Sequence, residues 1–469
     1  MKKKVVSALL CATMVATMFA GCGSKESDNN ASTPDTSKAD TSSEVSEPAE
    51  DTGKVLNIYC WNEEFKSRIT AHYPDYQEVD ATHGKIGDVD VVWNITPNDD
   101  NAYQNNLDAT LLNQADAPAD DKIDLFLVEA DYALKYVDTD YTMPIKDLGI
   151  TDDDLSKQYQ YTKDIVTDSK GVLKGLSWQG CPGVLFYNRD AAKEVLGTDD
   201  PDKVQESVKD WDTYNDTAKK MKDAGYKMTA SANDTYRVYS NNVTSKWVDG
   251  NKISIDDNIM KWVDDSKAQV DAGETGTCDL WSDDWSKGFY PQGKVFCYFG
   301  PAWLVNFSMA ADTEGSIGYN GGWGAAQGPQ GFFWGGTWIC AAQGTDNANL
   351  VKDIMLKMTT DDDIMKDIVV DDDDFVNNST VMNGMADGSI KVKDDKEYTS
   401  KILGGQNPLP MYCAGVETLD LSNLSSYDQG CNEEFQNAMK NYFEGKASKE
   451  DALDLFYKAV TEKYPELTY

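Results

Sequence analysis

Apolar and polar positions divide the 469-residue chain into three regimes. Met1-Lys2-Lys3-Lys4 opens with positive charge, Val5 to Phe19 is an apolar run, and the small residues Ala20 and Gly21 precede Cys22. From Gly23 to about Gly53 the chain is polar, with Val45 as its larger apolar residue. Such a stretch buries too little surface to offset its ordering entropy. The remainder alternates two periods. Short apolar runs predict strands over residues 55–60, 89–93, 123–128, 183–187, 295–299 and 337–341. Amphipathic spacing predicts helices over 63–73, 99–114, 211–224, 258–270, 350–358, 433–443 and 449–464, with another opening at Tyr132, Leu134 and Tyr136. The alternation predicts an α/β fold built on a mostly parallel sheet with helices on both faces.

The first regime has the layout of a secretory signal: positive, apolar, small. Its apolar run is too short to span a bilayer core of about 30 Å, which takes about 20 residues. Phe19-Ala20-Gly21-Cys22 resembles a lipobox, with Phe in place of the usual Leu. The resemblance implies acylation of Cys22 and cleavage before it. Residues 1–21 are therefore expected to be a lipoprotein signal peptide, and 22–53 the acylated Cys22 with a disordered tether. The expected location is the extracellular face of the cell membrane, with the membrane contacted through the lipid anchor.

Composition sharpens the reading of the body. It is too long for one typical domain, and 40% hydrophobic and 11% aromatic residues supply two cores. The net charge of −37 excludes electrostatic binding of nucleic acid or anionic headgroups. The acidic runs Asp152–Asp154, Asp361–Asp363 and Asp371–Asp374 lack the alternating carboxylates and turn glycine of a calcium loop, and read as solvated loops and helix N-termini. The seven body cysteines contain no CxxC pair. Cys60, Cys297 and Cys340 read as small buried hydrophobes, and a Cys278–Cys297 bridge stays open. His72 and His83 are the only histidines, which removes most zinc sites and His-activated nucleophiles. Neither a metal nor a cofactor is expected.

In open α/β sheets ligands lie beyond the carboxyl ends of the strands. Those positions here hold Trp61, Asn62, Glu63 and Glu64; Glu129 and Asp131; Trp178 and Gln179; Trp303; and, around a glycine-rich segment, Trp334 and Trp338. Indole faces stack on the C–H face of a sugar ring while carboxylates and amides bind its hydroxyls. Trp61, Asn62, Glu64, Glu129, Asp131, Trp178, Gln179, Trp303, Trp334 and Trp338 are the candidate sugar-binding residues. Trp211, Trp247 and Trp262 read as structural.

Five segments then resemble the extracellular solute-binding proteins of carbohydrate ABC transporters, the group that includes maltose-binding protein. Val55 to Asn62 is similar to that family's first strand and polar turn. Asp124-Leu125-Phe126-Leu127-Val128-Glu129-Ala130-Asp131 resembles its third strand, whose terminal acid binds sugar hydroxyls. Gly183 to Asp190 looks like its first crossover strand, Gln292 to Trp303 its segment ending in a stacking Trp, and Gly335-Gly336-Thr337-Trp338 its return through the hinge. The resemblance implies a two-lobed periplasmic-binding-protein-like (type II) fold with a hinge and an inter-lobe ligand cleft. One lobe would comprise 54–180 and 336–385, the other 181–335 and 386–469. It further implies a monomeric, non-enzymatic component of an importer that captures a sugar, on the Trp count an oligosaccharide, and hands it to permease subunits. Cys181-Pro182 departs from the family, standing where relatives often carry a sugar-binding polar side chain. A surface-anchored glycoside hydrolase using Glu63, Glu64, Glu129 or Asp131 is the alternative. A cationic ligand is a third reading.

Overall fold

The computed structural model describes residues 50–469. Cys22, the leader and most of the tether lie outside the described residues, and so do the signal-peptide and lipid-anchor expectations. Strands β1 (Val55–Cys60), β2 (Tyr76–Glu78), β3 (His83–Ile86), β4 (Val89–Ile95), β5 (Leu125–Glu129) and β6 (Pro182–Asn188) come first. They are followed by β7 (Val248–Asp249), β8 (Lys252–Ile253), β9 (Cys297–Gly300), β10 (Trp323–Ala326), β11 (Phe332–Phe333) and β12 (Thr337–Ala341). One sheet has the order β12-β5-β1-β4-β3-β2; a second is centred on β6, which pairs with β9, β10 and β11; β7 and β8 form a hairpin.

The expected mostly parallel sheet is corrected. Only β1–β4 and β1–β5 pair in parallel, while β2–β3, β3–β4, β5–β12 and all ladders on β6 are antiparallel. For β3–β4 the reason is connection length: Gly87-Asp88 joins them as a two-residue loop, with Gly87 at φ +58°, and a link that short closes only an antiparallel hairpin; the β5–β12 ladder and those on β6 pair segments distant in sequence.

Side-chain alternation explains the layering. Leu56, Ile58 and Cys60 of β1 point into one core. On β6, Val184 and Phe186 enter that same core, whereas Leu185 and Tyr187 enter a second one with Phe296 and Met221. A third core joins the helix Asp257–Ala272 to the C-terminal helices Asp428–Phe443 and Lys449–Lys463 through Trp247, Trp262, Phe435 and Phe456. Trp247, on a connection, and Trp262, on a helix face, are thus structural, as expected. All seven described cysteines are free; Cys278 Sγ lies 3.1 Å from the Ala230 carbonyl, so the Cys278–Cys297 bridge is not formed. Among the described residues no helix is long and apolar enough to cross a membrane.

Three chain segments pass side by side between the two sheets and form the hinge. Leu176 and Ile339 exchange backbone hydrogen bonds of 3.1 and 2.7 Å, and Trp334 N–H donates to the Cys181 carbonyl at 3.3 Å. On its other side the 178–180 segment meets the third, through Gly180 N–H to Phe375 O at 2.8 Å and Asn377 N–H to Trp178 O at 2.7 Å. The acidic runs divide accordingly. Asp361 caps the helix Asp362–Asp372, accepting from Asp363 and Ile364 N–H at 3.0 Å. Asp372 and Asp374 depart from the solvated reading. Asp372 pairs with Arg68 at 2.7 Å, and Asp374 is buried against Gln179 at 2.9 Å.

Candidate functional site: the cleft between the lobes

Strand ends carry the candidate residues to the cleft. Trp61 follows β1 and is partly buried, 5.7 Å from the ring of Tyr103 and 6.2 Å from that of Tyr132. Asn62 beside it accepts from Glu64 N–H at 3.0 Å, which turns the chain into the helix Glu64–His72. Glu129 ends β5, and its Oε2 accepts from Asp131 N–H at 2.8 Å. Burial, and next the charge of Asp131, push the Glu129 carboxyl well above the usual carboxylate range, with Arg237 opposing. This carboxyl is a candidate hydrogen-bond partner for a ligand hydroxyl.

Asp131 is met by a side chain 106 positions away in sequence. Arg237, on the helix Tyr236–Ser240, forks both its oxygens, Nη1 to Oδ1 at 2.8 Å and Nη2 to Oδ2. This two-pronged, charge-assisted contact ties one side of the cleft to the other. A small cavity of about 60 Å³ adjoins it. The lining comes from Ala130, Asp131 and Leu134 on one side and Arg237, Asn241 and Asp428 on the other.

The aromatic wall is separate from that cavity. Trp303 follows β9 through Gly300-Pro301, and Trp334 follows β11; their rings stand 5.4 Å apart at 65°, forming a corner. Gly335 passes behind it at φ +68°, where an added Cβ would lie 3.2 Å from Trp303 Cζ2 and 3.6 Å from Glu129 Oε1. The corner and the Glu129 carboxyl therefore share one surface. Gly336, at φ +100°, would place a Cβ 2.9 Å from Cys181 Sγ, so both glycines are required by the hinge path. Trp281 joins the wall, 6.2 Å from Trp303 and 5.6 Å from Trp334.

Four expected ligand contacts are corrected, because the hinge consumes them. Trp178 and Trp338 are fully buried: Trp178 stacks on Phe65 at 5.3 Å, and Trp338 Nε1 donates to the Thr162 carbonyl at 2.8 Å. Gln179 is 1% exposed and spends its whole amide: Nε2 donates to Glu64 at 2.8 Å and Asp374 at 2.9 Å, and Oε1 accepts from Thr337 N–H at 3.1 Å. Glu64 is buried in the same network. Trp61, Asn62, Glu129, Asp131, Trp303 and Trp334 are partly exposed and remain the candidates.

Arg237 and Trp281 were not among the expected residues. A signal for Arg237 existed: the sequence has only three arginines, Arg68, Arg189 and Arg237. Each is a fork at a crowded junction. Arg68 reaches Asp372, and Arg189 donates to the carbonyls of Trp323, Asp199 and Leu403 at 2.8, 3.0 and 2.8 Å.

Comparison with known proteins follows this geometry. The family profile described as bacterial extracellular solute-binding protein matches residues 85–399. The chain belongs to that family. No curated protein sequence matches it. Among solved structures, an extracellular solute-binding protein of family 1 superposes with a TM-score of 0.68 at 17% identity, over 87% of this chain and 99% of its own. An ABC-transporter-associated binding protein from B. animalis subsp. lactis Bl-04, in complex with beta-1,6-galactobiose, gives 0.65 at 19% identity over 88% and 99%. The T. maritima protein MalE3 with maltose bound gives 0.61 at 12% over 87% and 99%. The two-lobed fold expected from the five sequence segments is the family's fold.

Proposed function

We propose that this member of the family is the sugar-capturing component of an ABC importer, held at the extracellular face of the cell membrane through acylated Cys22. The carrying observation is the corner of partly exposed Trp303 and Trp334 beside the Glu129 carboxyl. Apolar faces beside a hydrogen-bonding acid match the two chemistries of a pyranose ring. That relatives of this fold have been solved with galactobiose and maltose supports the same reading. Ligand bound between the lobes favours the closed arrangement by its differential affinity for it. The Asp131–Arg237 fork adds a contact available only when the lobes are together. The lobe limits are taken as 54–180 with 336–385, and 181–335 with 386–469, and the working unit as a monomer that delivers to the permease subunits.

A hydrolase would need an acid and a base facing one substrate. Glu64 is buried in the hinge, and Arg237 holds both oxygens of Asp131. Titration calorimetry of the mature chain with gluco-, xylo-, manno- and galacto-oligosaccharides tests the reading. Saturable binding with the sugar recovered intact is expected. Failure to bind any of them, or release of shorter sugars, overturns it.

A further inference from the structure

Trp281 combines three properties that folding alone does not account for. It is 53% exposed, so its indole contributes little to the core. Its backbone sits at φ +68°, a left-handed conformation that a bulky residue rarely adopts and that persists only where the surroundings over-determine it. And it is firmly braced. The turn is tied by Ser282 Oγ, which donates to the Asp279 carbonyl at 2.7 Å and accepts from Trp285 N–H at 3.2 Å. Beneath it, Trp285 packs edge-on at 5.0 Å, itself buried and fixed by Nε1 to Asp234 at 2.8 Å. A glycine would relieve the backbone and a polar residue would suit the exposure. The chain instead holds a rigid aromatic face in solvent.

What that face adjoins decides its use. The Trp281 ring lies near-parallel to Trp303, at 26°, and tilted 43° to Trp334. Trp281 therefore extends the aromatic surface of Trp303 and Trp334, and its own ring is the most exposed of the three. One sugar ring at the corner leaves the Trp281 face uncovered. A second ring joined to it reaches that face, and further rings continue into solvent.

We propose that Trp281 is a second stacking platform, holding the sugar residue that adjoins the one at Trp303 and Trp334, so that the ligand is an oligosaccharide of at least two rings. This rests on the sugar-binding reading of the cleft. Its immobile backbone means little ordering is required when the ligand arrives.

The test is calorimetry on the mature chain and on Trp281→Ala, Trp281→Phe and Trp281→Gly. The probes are maltotriose, xylotriose, mannotriose and beta-1,6-galactobiose, each beside its constituent monosaccharide. For the best-binding oligosaccharide, Trp281→Ala and Trp281→Gly should bind at least about ten-fold more weakly and Trp281→Phe within about three-fold, with the monosaccharide unaffected. Trp281→Gly relaxes the backbone, so its folding keeps the comparison open even if Trp281→Ala unfolds. Equal loss for both sugar lengths, no loss, or wild-type preference for the monosaccharide overturns the platform while leaving the sugar site intact. Binding of no probe by the wild type overturns the sugar site itself, and the platform with it.

Discussion

At the scale of single residues, exposure separates tryptophans that look alike in sequence. Trp178, Trp303, Trp334 and Trp338 all lie in or near strands or glycine-rich turns, yet two are entombed in the hinge and two form the aromatic corner. Removing Trp303 leaves Trp334 without its partner face and opens the corner. Trp303→Ala is expected to weaken binding of the best oligosaccharide by at least about 1 kcal/mol, the lower range for aromatic anchors. Calorimetry on a variant whose melting temperature is retained checks this, and unchanged affinity would remove Trp303 from the site. The residues that could not be read locally are those whose role depends on a distant partner. Nothing near Glu64 in the chain announces Gln179, 115 positions away, and nothing near Asp131 announces Arg237, 106 positions away.

At the scale of elements, the hinge is a polar knot inside an apolar junction. The Gln179 amide spans Glu64 and Asp374, with Thr337 on the second crossing at 3.4 Å from Glu64 and Arg68 at 3.9 Å. Burial pushes Glu64 up to about 7, Asp374 adding to the effect while Arg68, Gln179 and Thr337 oppose it. Asp374 is raised as well, again chiefly by burial. The folded chain therefore keeps a proton on Glu64 that the unfolded chain, at the ordinary value of 4.5, has released. Stability from this group is full below pH 4.5 and is lost as pH rises through about 7. Glu64→Gln mimics the protonated side chain. Its melting temperature should match the wild type near pH 5 and exceed it near pH 8 by about 2 °C or more. Asp234, pushed up to about 7 by its own burial, leaves a residual slope of the same sign in the variant. Scanning calorimetry at both pH values decides, and a variant less stable than the wild type at pH 8 would contradict the argument.

At the scale of the whole molecule, two sheets, three crossings and one cross-cleft fork make a body whose lobes can part and meet about a short hinge. The full chain's net charge of −37 disfavours anionic headgroups, so the proposed residence at a membrane would depend on the proposed anchor. The proposed tether beside a permease would raise effective concentration. Mass spectrometry of the mature N-terminal peptide should find it starting at Cys22 and carrying acyl chains. An unmodified N-terminus elsewhere would sink the anchor.

What the sequence determined by itself is what depends on neighbours within a few positions. Apolar alternation marked β1 and β12 to the residue, and helical spacing placed Lys449–Lys463 within one residue, because period and capping are local properties. The family's fold was legible for the same reason: its five segments are each continuous. Strand direction, the fate of Asp374 and the burial of Trp178 were decided only by the tertiary structure. Each depends on which distant segment lies alongside, and burial, which sets both a carboxyl's proton affinity and a tryptophan's availability, is a property of packing rather than of order along the chain.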